Sequence, residues 1–253
     1  MKRVVFTNKG GVGKTSIACN LAAISAAEGY RTLLVDLDAQ ANATQYLTGC
    51  GPDDTPSGIA DFFRQTLFPG SGKAQANVHP TPFDNFFLIA GSPELAELQP
   101  KLEAKFKIRK LAKLLDRLAA DYDRIYLDTP PGFGFYSLSA LLAADRCLVP
   151  FDCDSFSLTA IDRLLAELED IADDHDGAAK IEGVVVNQFP ARGALPEALI
   201  AELEQRGIPV FDERLMSSVK MKESHHACRP LIHLDPNHKL TRQFVALFHA
   251  LED

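Results

Sequence analysis

Residues Val4 to Asn20 read VVFTNKGGVGKTSIACN, a β-branched and aromatic run that breaks into a glycine-rich turn and then into a helical pattern. Each part has a physical use. Gly10, Gly11 and Gly13 let backbone N–H groups approach an anion, and the N-terminus of the following helix adds its dipole. Lys14 supplies positive charge and the Thr15 hydroxyl can ligate Mg²⁺. The turn from Gly10 through Val12 to Ser16 is therefore a phosphate cradle that requires a strand before it and a helix after it. One position departs from the usual spacing of such loops: the residue five places before Gly13 is Asn8 rather than glycine, and Lys9 stands beside it.

The neighbouring patterns extend this start into a fold. Arg3 to Thr7 reads as a buried parallel strand, Thr15 to Glu28 as a helix stopped by Gly29, and Thr32 to Asp36 as a second buried strand, which makes a βαβ unit. Asp36 and Asp38 follow at that strand's C-terminal end, where ligands bind in open α/β sheets; if the strand runs on to Asp38, the two carboxylates share a side. Residues 123–128 form an apolar strand ending in Asp128, a Walker B arrangement whose carboxylate sits behind the phosphate loop and holds Mg²⁺ through water. Further strands are expected over 86–90, 144–152, 181–189 and 209–214, with helices at 59–67, within 93–122, and at 157–172, 195–205 and 240–251. The expectation is an α/β fold of three layers, a mostly parallel twisted sheet flanked by helices. With 253 residues, 46% of them hydrophobic, a single domain is expected, with a possible partner-facing insertion at about 50–85.

Several of these segments carry a resemblance. The loop Lys9-Gly10-Gly11-Val12-Gly13-Lys14-Thr15, the stretch Asp36-Leu37-Asp38-Ala39-Gln40-Ala41-Asn42-Ala43-Thr44 and the run Asp128-Thr129-Pro130-Pro131 resemble the ParA/MinD-type ATPases, and the ParA/Soj partition branch most of all. Ala39 stands where that family has proline. The resemblance implies an ATP·Mg²⁺ sandwich dimer in which Lys14 contacts the β- and γ-phosphates and Lys9 reaches the partner subunit's nucleotide. It further implies that Asp38 orients the attacking water, while Thr15, Asp36 and Asp128 serve the Mg²⁺ shell. Asn187, at a strand end, would read adenine on this resemblance; a strand-end cap is the other reading. Val219 to Leu231 resembles the family's segment before the terminal helix. There Lys220, Lys222 and Arg229, with Arg214 and Arg192, could form a DNA-binding patch or an ordinary charged helix. The implied partners are a second copy of the chain, non-specific nucleoid DNA and a ParB-like or adaptor protein that stimulates hydrolysis.

Composition narrows the classes. A net charge of −8 means that DNA contact must come from a local basic patch. Five cysteines without a CxxC pair argue for reduced thiols in a cytoplasm and against an iron–sulfur carrier. No secretory signal or membrane span is expected. The final helix carries Leu240, Phe244, Leu247, Phe248 and Leu251 on one stripe and closes on acidic residues. It reads as a core helix rather than the membrane helix of a MinD or flagellar-type regulator, the alternative assignment. The Lys101 to Lys113 run is ordinarily a solvated face. His225, His226 and Cys228 lack zinc-site spacing, and Ser16 and Ser137 lack a positioned base for nucleophilic chemistry.

Overall fold

The structure, a computed structural model, describes residues 1–51, 54–68, 73–153, 157–175, 177–190 and 195–252. Its strands are β1 (Lys2–Val5), β2 (Thr32–Asp36), β3 (His79–Pro80), β4 (Phe86–Ile89), β5 (Arg124–Asp128), β6 (Arg146–Asp152) and β7 (Lys180–Asn187). They form one sheet in the order β3-β4-β2-β5-β1-β6-β7. Every pairing is parallel except that of β3 with β4 at the edge.

The helices are α1 (Lys14–Ala27), α2 (Asn42–Thr48), α3 (Ile59–Leu67), α4 (Glu94–Ala104), α5 (Lys110–Leu118), α6 (Phe135–Leu141), α7 (Ser157–Asp174), α8 (Leu195–Gln205), α9 (Val219–His226), α10 (Leu231–Leu234) and α11 (Lys239–Ala250). They cover both faces of the sheet, which is why β2 is a continuous apolar run buried at every position rather than an alternating one. Leu33 and Val35 point into a core with Phe62, Phe63 and Leu115, whereas Leu34 points into the opposite core with Ile17, Leu21, Phe244 and Phe248. The period of two along each strand thus fills two cores at once.

The terminal stripe lies in the second core: Leu240, Phe244, Leu247, Phe248 and Leu251 are all buried. Within the 50–85 stretch, α3 contributes Phe62 and Phe63 to the first core, and β3 pairs antiparallel with β4.

Two sequence expectations need correction. The strand expected at 209–214 is reduced to an isolated bridge between Val184 and Val210, with the Phe211 N–H donating to the Val184 carbonyl. Pro209 has no N–H to give to a ladder, and Asp212 is exposed. The second concerns the acidic pair. Strand β2 stops at Asp36, whose carboxylate takes the Asp38 N–H at 3.1 Å and turns the chain. Asp36 is therefore fully buried and Asp38 half-buried, and no shared strand face aligns them.

Candidate nucleotide site

Strands β1, β5 and β2 lie side by side in parallel, so the segments that follow them meet at one edge of the sheet. The loop after β1 enters α1 through Gly13, at φ 89°, with no side-chain cap on the helix N-terminus. The first-turn N–H groups of α1 are thereby left to an anion. A Cβ on Gly13 would also lie 2.2 Å from Asn187 Nδ2, so a side chain there would push that amide aside. That amide donates to the Val12 carbonyl at 2.8 Å, and Gln188 Nε2 donates to the Gly11 carbonyl at 3.0 Å. The end of β7 thus buttresses the loop, a role for Asn187 beyond the cap and adenine readings. Asn187 and Gln188 also line a cleft of about 190 Å³ with Gly13, Ser16, Met216 and Met221.

The two lysines part company. Lys14 is buried, and its Nζ donates to the Lys9 carbonyl at 3.0 Å. Burial lowers its pKa, against the upward pull of Asp128 and Asp38. The Lys9 ammonium turns away from the loop and pairs with Asp152, the last residue of β6, at 2.7 Å. Nothing in the sequence pointed to Asp152.

Thr15 Oγ1 donates to Asp128 Oδ2 at 2.8 Å, while Asp128 Oδ1 is buried with no hydrogen-bond partner among the described residues. Asp128 is cross-strand neighbour to Asp36. Burial first, and the adjacent Asp36 charge second, push its carboxyl well above the usual range. A hydroxyl beside an orphaned carboxylate oxygen, in a site with surplus negative charge, is a hard oxygen donor set that fits Mg²⁺ with its retained waters.

Asp36 is engaged otherwise. Its Oδ2 accepts the Thr44 hydroxyl at 2.7 Å and the Thr44 N–H at 2.9 Å, and its Oδ1 takes the Asp38 N–H. Burial pushes its pKa up to about 6, although these donors pull it down. The carboxylate thus staples the 38–44 loop to the sheet. Gly91 closes behind it, where a Cβ would come 2.8 Å from Asp36 Cγ. The Gly91 N–H donates to Thr44 Oγ1 at 2.9 Å. Asp38, half-buried, receives the Gln40 N–H at 2.9 Å and is the more accessible of the two carboxylates.

On the other side of the loop, Ser16 Oγ lies 3.0 Å from His225 Nε2. Sequence reasoning had given Ser16 no nearby base, so this contact is a correction. The imidazole stacks on Tyr46 with centroids 4.3 Å apart, and burial lowers its pKa. No carboxylate hydrogen bond orients it among the described residues, and the arrangement required of a nucleophile, base and orienting group is incomplete. His225, His226 and Cys228 form no metal-holding group among the described residues.

The residues expected to contact DNA have different surroundings. Lys220 pairs with Glu223 at 2.8 Å and Asp235 at 3.6 Å. Lys222 lines the cleft beside Asn187, whereas Arg229 lines a different cleft of about 620 Å³ with Phe83 and His233. Arg214 donates to the Phe211 carbonyl, and Arg192 lies outside the described residues.

A protein-family model described as "AAA domain" matches residues 1–181. The chromosome partitioning protein ParA of Myxococcus xanthus is 30% identical over 98% of this chain and 86% of its own length. The chain belongs to the ParA/Soj family of P-loop ATPases. The sporulation initiation inhibitor protein Soj of Bacillus subtilis is 29% identical over 93% of the chain and 92% of its own length. Among solved structures, an ATP complex of a Cyanothece McdA variant superposes with a TM-score of 0.85 at 21% identity, covering 99% of this chain and 96% of that one. The cell division ATPase MinD of Pyrococcus furiosus gives 0.78 at 23% identity, covering 99% and 98%. At those identities the structures establish the shared fold. As a ParA/Soj-family P-loop ATPase, the protein hydrolyses ATP, and no described helix is long and apolar enough to cross a membrane.

Proposed function

We propose that this ATPase positions or segregates a cargo, such as a plasmid, a chromosome region or a protein assembly, by cycling between an ATP-bound dimer and a monomer. The position of Lys9 is the observation that carries this reading. Its ammonium, on a side chain 32% exposed, sits on the rim with Asp152 while Lys14 alone folds into the loop. A cation that is not folded into its own phosphate loop supports a role toward a nucleotide in a second subunit.

In this reading the backbone of Gly10 to Thr15 and the Lys14 ammonium hold the phosphates, and Thr15 and Asp128 hold Mg²⁺, which neutralises charge on the phosphate oxygens. Asp36 keeps the 38–44 loop in register so that Asp38 can orient water. Asn187, with Met216 and Met221, receives the base, adenine. Each nucleotide adds contacts to the opposite subunit that a monomer lacks, so ATP favours the dimer and hydrolysis reverses it.

The dimer holds duplex DNA without sequence preference, its two halves acting through effective concentration. It is thereby nucleoid-associated while ATP is bound, and a ParB-like or adaptor protein stimulates release. A membrane-held regulator of the MinD type is less well supported, because the apolar stripe of α11 is buried in the core.

Sedimentation with ATP and Mg²⁺ tests the cycle. Asp38→Ala should accumulate as a dimer, and Lys9→Ala should bind nucleotide yet stay monomeric. A Lys9→Ala protein that dimerised with ATP as the parent does would overturn the reading.

A further inference from the structure

The Lys101 to Lys113 run, which sequence alone reads as a solvated helix face, acquires a definite shape in the fold. Lys107, Lys110, Lys113 and Arg117 are joined by Lys73 around one cleft of about 260 Å³, with Phe62 among its walls. Among the described residues, no carboxylate lines it. None of the five cations makes an ion pair among the described residues, whereas Lys220 is held by two carboxylates. Arg117 is fixed at the rim by a 2.8 Å hydrogen bond from its Nη2 to the Ala74 carbonyl.

Two further features raise the potential there. Lys107 and Lys110 are half-buried, so water screens their charges less than it would on an open surface. Helix α5 begins at Lys110 with no acidic residue in its first turn, so the positive end of its dipole is not offset. Lys110, Lys113 and Arg117 follow helical spacing on its polar side, while Leu111, Leu114 and Leu115 are buried beneath. In a chain of net charge −8, five cations with no ion pair among the described residues, converging on one cleft, run against the average surface.

We infer that this cleft is a phosphate-binding site that takes backbone phosphates of duplex DNA. The inference deepens the DNA-binding limb of the proposed function and rests on it. The ligand must be a dense anion, because one carboxylate would leave most of the cluster uncompensated. Duplex DNA presents a charge about every 1.7 Å along its axis, which matches a cluster of cations better than an isolated acidic side chain does. Helix α5 leads back toward the start of β5, at the sheet edge opposite the phosphate loop. DNA held there would not compete with nucleotide, and each subunit of a sandwich dimer would bring its own cleft.

The test measures fluorescence anisotropy of a random-sequence labelled duplex with the full chain, ATP and Mg²⁺, between about 50 and about 200 mM salt. Replacing Lys107, Lys110 and Lys113 together by Gln should flatten the slope of log affinity against log salt by about 2 to 3. Across that range the parent should lose about 40-fold more affinity than the variant, while basal ATPase activity is unchanged. Lys110→Glu provides a second variant, expected to weaken binding at low salt, and thermal melting of both checks folding. Variants that fold and keep the parental slope and affinity would overturn the inference alone. A parent that binds no duplex even at low salt would overturn the DNA limb of the proposed function as well.

Discussion

Replacing Asp152 by Asn tests whether Lys9 must leave its own subunit to act. The Lys9–Asp152 pair is 2.7 Å long, with side chains 32% and 25% exposed, so solvent screens it substantially. Ion pairs of this kind are worth about 0.2–1 kcal/mol. A dimer in which both lysines cross must break two such pairs, a cost of about 0.4–2 kcal/mol. Removing that cost should tighten ATP-dependent dimerisation by about 2-fold to about 30-fold. Analytical ultracentrifugation across a concentration series with ATP and Mg²⁺ reads the dimer constant directly. Asp152→Asn is expected to dimerise more tightly than the parent, and Lys9→Ala to show no dimer whether or not Asp152 is also changed. If Asp152→Asn dimerised more weakly, the pair would be one that persists in the active dimer, and the picture of Lys9 released from the rim would be wrong.

The structure also makes predictions about stability. Thr44→Val removes a hydroxyl that donates to Asp36 and accepts from the Gly91 N–H, leaving a buried donor without a partner. The expected loss is about 1–3 kcal/mol in urea unfolding, and a loss under about 0.5 kcal/mol would show that the loop repacks without it. Glu252 bridges Arg124 and Arg3. Burial alone would raise its pKa, but the Arg124 hydrogen bond and the charges of both arginines lower it from 4.5. A depressed carboxyl contributes stability above its unfolded pKa and loses it as the pH falls through its folded pKa. The thermal-stability gap between the parent and Glu252→Gln should therefore be full at neutral pH and close below about pH 4.5; a gap independent of pH would assign the effect to packing.

Much of the site was legible because phosphate chemistry is local. Glycines, a lysine and a hydroxyl at fixed spacing follow one strand, and an aspartate ends another. The physics of the helix N-terminus allows few other uses for that pattern. The terminal helix was legible for a similar reason, since a full apolar stripe needs a core.

What escaped the sequence depends on residues far apart in the chain. Asp152 meets Lys9 across 143 residues, and Gln188 meets Gly11 across 177. Gly91 must be glycine only because Asp36 sits where its Cβ would be. Period-two reasoning sets Asp36 and Asp38 on one side only if the strand runs on to Asp38, but the buried Asp36 carboxylate takes the Asp38 N–H as well as two donors from Thr44, and the chain turns.

The same division applies to charge. Sequence alone determined that the chain builds a phosphate loop in a parallel α/β sheet, because those signals are carried by neighbouring residues. Only the tertiary structure decided which cations are neutralised and which converge, since pairing and screening depend on distance in space. Lys220 is paired with Glu223 and Asp235, while Lys73 joins the α5 lysines from a segment more than thirty residues earlier in the chain.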